Sequence, residues 1–405
     1  MRRVWALAGL VVLVGTACGK DKTTTTSTAT TVAKDETVTL QVDNRSKDIN
    51  FEAIEYFPKA ATVAPGTKLQ FHSNFLGEPH TVTFGSSIDK LMTIYNSLSD
   101  EEKHSDAPPP QEVQDLKVPF VFPDDADFSD LSAVKLNQSA TQPCFLAAGQ
   151  FAPGSDPCPK ATASQFDGTQ PFYNSGILKD DEVFDVQLAD GLPPGVYQFI
   201  CLFHGPDMAG QITVAGTGAQ SAADVKAAGD KQLADEVALL KPEVTKAQTE
   251  ATPGEVKAGV GSEQLQSVIA NIFAPKEISV PVGGSVTWNL SFHTVSFNAP
   301  EDARPAFIQA SDGSWKFNVK ALTPVGYTPP APPDDSSGGG GPPSSDAPPP
   351  PVNVDGGTWD GTGFYSSGSI DSEGDVFFKL TFSKAGTYKY LCLIHTDMEG
   401  TVKVG

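Results

Sequence analysis

Two short stretches each carry a cysteine, a histidine and a methionine: Cys201-Leu202-Phe203-His204-Gly205-Pro206-Asp207-Met208 and Cys392-Leu393-Ile394-His395-Thr396-Asp397-Met398. A thiolate, an imidazole and a thioether in one loop suit a mononuclear copper centre, provided a second imidazole arrives from elsewhere. Each stretch has such a residue upstream: His80 in Pro79-His80-Thr81-Val82-Thr83-Phe84, and His293 in Phe292-His293-Thr294-Val295-Ser296-Phe297. The sequence thus predicts two copper ions per chain. One is expected on His80, Cys201, His204 and Met208, the other on His293, Cys392, His395 and Met398. Scarcity supports the assignment. The 405 residues include only five cysteines, six histidines and four methionines, and eight of these fifteen fall in the two sets. His72 and His104 are left over, and both are expected to pack or face solvent.

The elements that must position these ligands are also repeated. Residues 57–66 parallel 274–283, each reading as a strand, a glycine turn and a second strand (67–71 and 285–290) before the first histidine. Phe172-Tyr173-Asn174-Ser175-Gly176 parallels Phe364-Tyr365-Ser366-Ser367-Gly368. Short alternating runs with dense turn punctuation indicate an all-β sandwich. Tyr197, Phe199 and Cys201 alternate, as do Tyr388, Tyr390 and Cys392, so each cysteine is expected to share the core face of its strand with two aromatics. Residues 219–241 read as a helix ended by Pro242. Ser99 and Glu102 fit the capping box of a short helix at 99–103.

Composition and charge narrow the function class. A net charge of −21 argues against nucleic acid, since nothing would neutralise phosphates, and suits docking to partners with basic patches. Arg2 and Arg3, the apolar run at 4–14 and Gly15-Thr16-Ala17-Cys18 read as a signal peptide (1–17) with a bacterial lipobox. Cys18 is then lipidated, and a threonine-rich tether (18–35) holds the protein on the extracytoplasmic side of a membrane. That compartment permits disulfides, and Cys144 and Cys158 are expected to pair, closing a loop worth about 3 kcal/mol.

These motifs resemble the cupredoxin superfamily, the plastocyanins, amicyanins and azurins, over residues 36–215 and 262–405. The resemblance implies two tandem cupredoxin-like Greek-key β-sandwiches, joined by a partly helical connector at 216–261, with a Pro/Gly/Ser insert at 329–351 in the second. It implies that Thr81 and Thr294, following the first histidine of each set, hydrogen-bond near the thiolate. The second loop, Cys-x2-His-x2-Met, has the amicyanin length, and the first is one residue longer. The resemblance further implies blue type 1 copper and an electron-transfer role with redox protein partners.

Multicopper oxidases and copper nitrite reductases need additional histidines, including ones flanking the ligand cysteine. Here Cys201 lies between Ile200 and Leu202, and Cys392 between Leu391 and Leu393. Oxidase or nitrite reductase activity and a small-molecule substrate are therefore not expected. The alternative reading is a copper-binding or delivery protein, or an interaction module without a relay role.

Overall fold

The computed structural model describes residues 36–74, 77–103, 108–122, 134–142, 165–262, 264–290, 292–328, 351–370 and 375–405. In the first repeat, the strands Tyr56–Phe57, Thr37–Val42, Lys68–Ser73 and Val183–Gln187 form one sheet in that order. Ala60–Val63, Gly205–Val214, Gly195–Cys201, Thr83–Phe84 and Tyr173–Asn174 form the facing sheet. Alternation sets which side chains point inward. Val38, Leu40 and Val42 on one strand, and Leu69 and Phe71 on its parallel neighbour, are buried between the sheets. They meet Phe199 of the opposite sheet, whose ring lies 5.1 Å from Phe71 and 4.7 Å from Tyr56.

The second repeat has the same plan. Its inner sheet runs Val352–Trp359, Val376–Phe382, Ser285–Asn289, Glu255–Ser262, Leu265–Ala274 and Phe51–Ala53. Facing it are Glu277–Val280, Glu399–Val404, Gly386–Leu391, Ser296–Phe297 and Tyr365–Ser366. The duplicated stretches take equivalent places. Ala60–Val63 lies parallel to the last strand of the first repeat, with Ala61 opposite Ile212, and Glu277–Val280 lies parallel to the last strand of the second, with Ile278 opposite Val402. Parallel neighbours arise because the chain crosses between the facing sheets before it pairs again.

Three features depart from the sequence reading. The helix does not stop at Pro242 but spans Ala222–Thr249. Proline removes one backbone donor, but tertiary contacts hold both flanks. Leu240 and Val237 are buried against the Phe51–Ala53 region, and beyond the proline Gln248 donates to the Phe273 carbonyl and accepts from the Lys276 N–H. The stretch read as connector, 216–261, includes most of Glu255–Ser262, an interior strand of the six-stranded sheet. Finally, Phe51–Ala53 comes from the first repeat yet pairs antiparallel with Leu265–Ala274 of the second. The Ser99–Glu102 capping box is present at the helix Asp100–Lys103, with the Glu102 carboxylate accepting from the Ser99 N–H at 2.8 Å. A longer helix, Ser86–Ser97, precedes it.

The two repeats share a core. Phe199 and Cys201 face the interior of their own sandwich, while Ile200 and Leu202 on the other side of the same chain join a cluster containing Trp288, Phe297 and Tyr390 of the second. Phe203 packs edge-on against Phe307, with ring centroids 5.1 Å apart.

Candidate metal centres

Each cysteine sits where its strand meets its ligand loop, Cys201 as the last residue of Gly195–Cys201 and Cys392 just past Gly386–Leu391. Both are wholly buried. Backbone donors converge on the sulfur. Thr81 N–H and Phe203 N–H point at Cys201 Sγ from 3.3 and 3.4 Å, and Thr294 N–H and Ile394 N–H at Cys392 Sγ from 3.5 and 3.4 Å. The threonine hydroxyls fasten the loops, Thr81 Oγ1 accepting from Leu202 N–H and Thr294 Oγ1 from Leu393 N–H, each at 2.7 Å. The Phe-Tyr-x-Ser duplication explains how the upstream histidines are placed. Ser175 Oγ accepts from Val82 N–H and Ser367 Oγ from Val295 N–H, each pinning the strand that carries the ligand histidine.

The structure brings His80, Cys201 and His204 together, and likewise His293, Cys392 and His395, with the potential ligand atoms of each trio within 4.8 Å of one another. In the second trio the Nδ1 atoms of His293 and His395 are 2.8 Å apart and lie 3.9 and 3.6 Å from Cys392 Sγ. In the first trio the Nδ1 atoms of His80 and His204 are buried without a hydrogen-bond partner. A buried nitrogen without a partner is costly unless something fills that place. One soft sulfur and two converging imidazole nitrogens are the donors a mononuclear copper would take, so the residues fit the ion. Met208 and Met398 are both buried, each in the same apolar cluster as its cysteine, and Cys392 N–H donates to the Met398 carbonyl at 3.0 Å.

The electrostatics prepare thiolates. Burial alone would raise both thiols, but the charge and hydrogen bonds of His204 and His80 hold Cys201 well below its ordinary value, and His293 and His395 do the same for Cys392. Burial disfavours the charged form of His204, yet Cys201 and Glu78 outweigh it and push the imidazole up to about 9. His395 is raised well above its usual value against burial, by Glu52, Cys392 and Glu78. His293 is lowered, by burial and then by the neighbouring His395.

Three carboxylates complete the surroundings, and sequence reasoning missed all three. His80 Nε2 lies 3.6 Å from Asp43, His204 Nε2 3.1 Å from Glu78, and His395 Nε2 3.0 Å from Glu52 and 3.7 Å from Glu78. Metal-bound histidines commonly donate their second ring N–H to a carboxylate, which fixes the ring and its tautomer. At His204 and His395 that arrangement leaves Nδ1 free to face the sulfur, whereas Asp43, 3.6 Å from His80 Nε2, lies beyond hydrogen-bond distance. Asp43 is pushed up to about 6, because burial outweighs the pull of His80, while His204 and His395 overcome burial and hold Glu78 well below the carboxylate range.

No family model matches the chain, and no curated protein matches it. Among solved structures, it is similar to a Cu(I) amicyanin variant at 10% identity, covering 46% of this chain and 87% of that one, with a TM-score of 0.20. It is also similar to dithionite-reduced auracyanin from the photosynthetic bacterium Roseiflexus castenholzii, at 14% identity, covering 45% of this chain and 98% of that one, with a TM-score of 0.21. A third is auracyanin B, at 15% identity over 47% of this chain and 95% of that one, with a TM-score of 0.20. At such scores the likeness bears no weight, and the reading of the site rests on its own geometry.

The remaining chemistry-bearing residues fall elsewhere. His72 lies on Lys68–Ser73 with its ring 2.7 Å from Asp181 and apart from both trios. His104, Cys144, Cys158 and the segment with Cys18 lie outside the described residues. Among the described residues, no helix is long and apolar enough to cross a membrane.

Proposed function

We propose that this chain is an extracytoplasmic electron-transfer protein with two mononuclear type 1 copper centres, held at a membrane by lipid on Cys18. The observation that carries the reading is the duplicated trio, one thiolate sulfur and two imidazoles whose free nitrogens converge on it inside a rigid β-sandwich. His80, Cys201, His204 and Met208 would hold one ion, and His293, Cys392, His395 and Met398 the other. Copper bound there supplies a one-electron couple. The protein holds the ligands before the ion arrives, buries them, and points backbone N–H groups at the sulfur, so little has to move when the charge of the site changes.

Burial of most of the ligands supports this reading, while His204 is 13% exposed. Cys201, Cys392, His80, Met208 and Met398 are at most 1% exposed. An electron passes through packed protein, whereas a substrate must reach the metal and a delivered ion must leave it. This burial and the apolar residues that flank both cysteines support a non-enzymatic carrier.

The test is copper loading of the purified chain followed by metal analysis and absorbance. About two coppers and a thiolate-to-copper band near ~600 nm are expected. A folded protein that binds none, or that turns over oxygen or nitrite in sustained fashion from a reduced donor, would overturn the proposal. For the anchor, Cys18→Ser should leave the membrane fraction, and retention there like the parent would contradict lipidation.

A further inference from the structure

We infer that Glu78 joins the two centres, so that electrons equilibrate between them inside the molecule; this rests on the copper reading above. One carboxylate spans both sites, Oε2 lying 3.1 Å from His204 Nε2 and Oε1 3.7 Å from His395 Nε2. Between the two thiolate sulfurs there are thus two imidazoles and a single carboxylate. Glu78 belongs to the first repeat, and the chain is shaped to carry it into the ligand loop of the second. At the preceding residue, Gly77, φ is +137°, and a Cβ would come within 2.4 Å of the Ile394 carbonyl oxygen and 2.7 Å of His395 Cα. Only glycine fits that approach.

The charge and one hydrogen bond suit a carboxylate at this position. With Nδ1 of both histidines directed to the sulfurs, each Nε2 carries its hydrogen and needs an acceptor. Glu78 accepts from His204 and sets its second charged oxygen 3.7 Å from His395 Nε2, whose acceptor is Glu52 at 3.0 Å; an amide offers one oxygen, and its nitrogen is a donor. His395 is buried, as is Glu52, which meets the same Nε2 at 3.0 Å, so these contacts operate in a low-dielectric interior. The step is simple in balance: one electron leaves the reduced centre and arrives at the oxidised one, no bond forms or breaks, and the Nε2–H donors keep their protons. The two centres are not equivalent. Glu78 serves both, Glu52 lies against His395 of the second, and Asp43 lies beside His80 of the first.

The experiment uses the copper-loaded full chain, with Cys201→Ser and Cys392→Ser identifying which potential belongs to which centre. Redox titration of the thiolate band should show both midpoint potentials raised in Glu78→Gln, because a negative charge that favours the oxidised state is gone from both. In Glu52→Gln the second centre should move more than the first. One-electron pulse reduction should show intersite equilibration slowed in Glu78→Gln by roughly ten- to a hundredfold, the range typical of outer-sphere partners of metal ligands. Glu78→Asp keeps the charge but shortens the reach, so it should slow the exchange while leaving the potentials nearer those of the parent. Histidine nitrogen NMR of the zinc-loaded chain provides a readout without redox chemistry, and the Nε2–H signals of His204 and His395 should both shift in Glu78→Gln. Copper bands that are intact, with potentials, exchange and both nitrogen signals unchanged in Glu78→Gln, would overturn the link alone. A chain that takes up no copper would overturn the reading beneath it.

Discussion

At the scale of single residues, the ligand trios depend on neighbours that leave room for them. Gly259 shows this at the second centre. Its φ is +83°, and a Cβ there would lie 2.4 Å from His293 Nε2 and 3.0 Å from Ile269 Cδ1. The imidazole therefore rests directly on the backbone of the Glu255–Ser262 strand, and its Nδ1 faces Cys392 in consequence. Gly259→Ala adds a left-handed cost of about 1–2 kcal/mol and drives the methyl into the ring. The variant is expected to lose the copper of the second centre, about half the thiolate band, while keeping that of the first. Metal analysis and absorbance on the loaded protein decide it, and a full band with two coppers would show that His293 is not held in this way.

At the scale of elements, what was legible in the sequence is what is local. Cysteine, histidine and methionine within one loop, and a histidine before an alternating strand, declare their chemistry by type and spacing, and the structure assembles each trio from them. Asp43, Glu52 and Glu78 gave no such signal, because they lie on separate segments of the first repeat and Glu52 and Glu78 act on a histidine of the second. Glu78 stood beside a motif, two residues before His80, yet its target is equally His395. The helix was read too short for a similar reason, since a local rule ended it at Pro242 and distant contacts carried it on to Thr249. The same helix holds a buried acid no motif announced. Burial, and then Glu55, push Glu236 up to about 9, and Glu55 is itself tied to Lys59, Gln232 and Ser267. The folded chain therefore holds this proton at pH values where the unfolded chain has released it, above about 4.3. Stability from Glu236 is complete at low pH and drains away as pH climbs toward 9. Glu236→Gln mimics the protonated acid, so it should flatten that decline and be more stable than the parent at about pH 8.5 but not at about pH 5. Urea unfolding at the two values is the measurement, and parallel losses in parent and variant would count against a proton held on Glu236.

At the scale of the molecule, the shared core predicts that the two sandwiches unfold as one cooperative body. The Phe51–Ala53 strand of the first repeat extends the inner sheet of the second, the helix Ala222–Thr249 packs on both, and the cluster around Trp288 takes in Ile200 and Leu202 from the first. The candidate centres lie close enough across this shared interior that carboxylates of one repeat reach a histidine of the other. Natural reporters make this testable. Among the described residues every tryptophan lies in the second repeat: Trp288, Trp315 and Trp359. Tryptophan emission thus follows the second sandwich, while far-ultraviolet circular dichroism follows strands in both. In the metal-free protein the two signals should trace one transition, as expected of a cooperative unit. Phe71 lies wholly in the first sandwich, with its ring against Phe84, Phe199 and Tyr56. Phe71→Leu removes edge-to-face contacts worth about 0.5–1.5 kcal/mol each, in a core cluster that holds no tryptophan. If the repeats unfold together, the tryptophan transition shifts to lower denaturant by the same amount as the dichroism. A tryptophan transition that stays where it was, while part of the dichroism moves, would mean that the second sandwich stands alone and that the shared core does not couple the two halves.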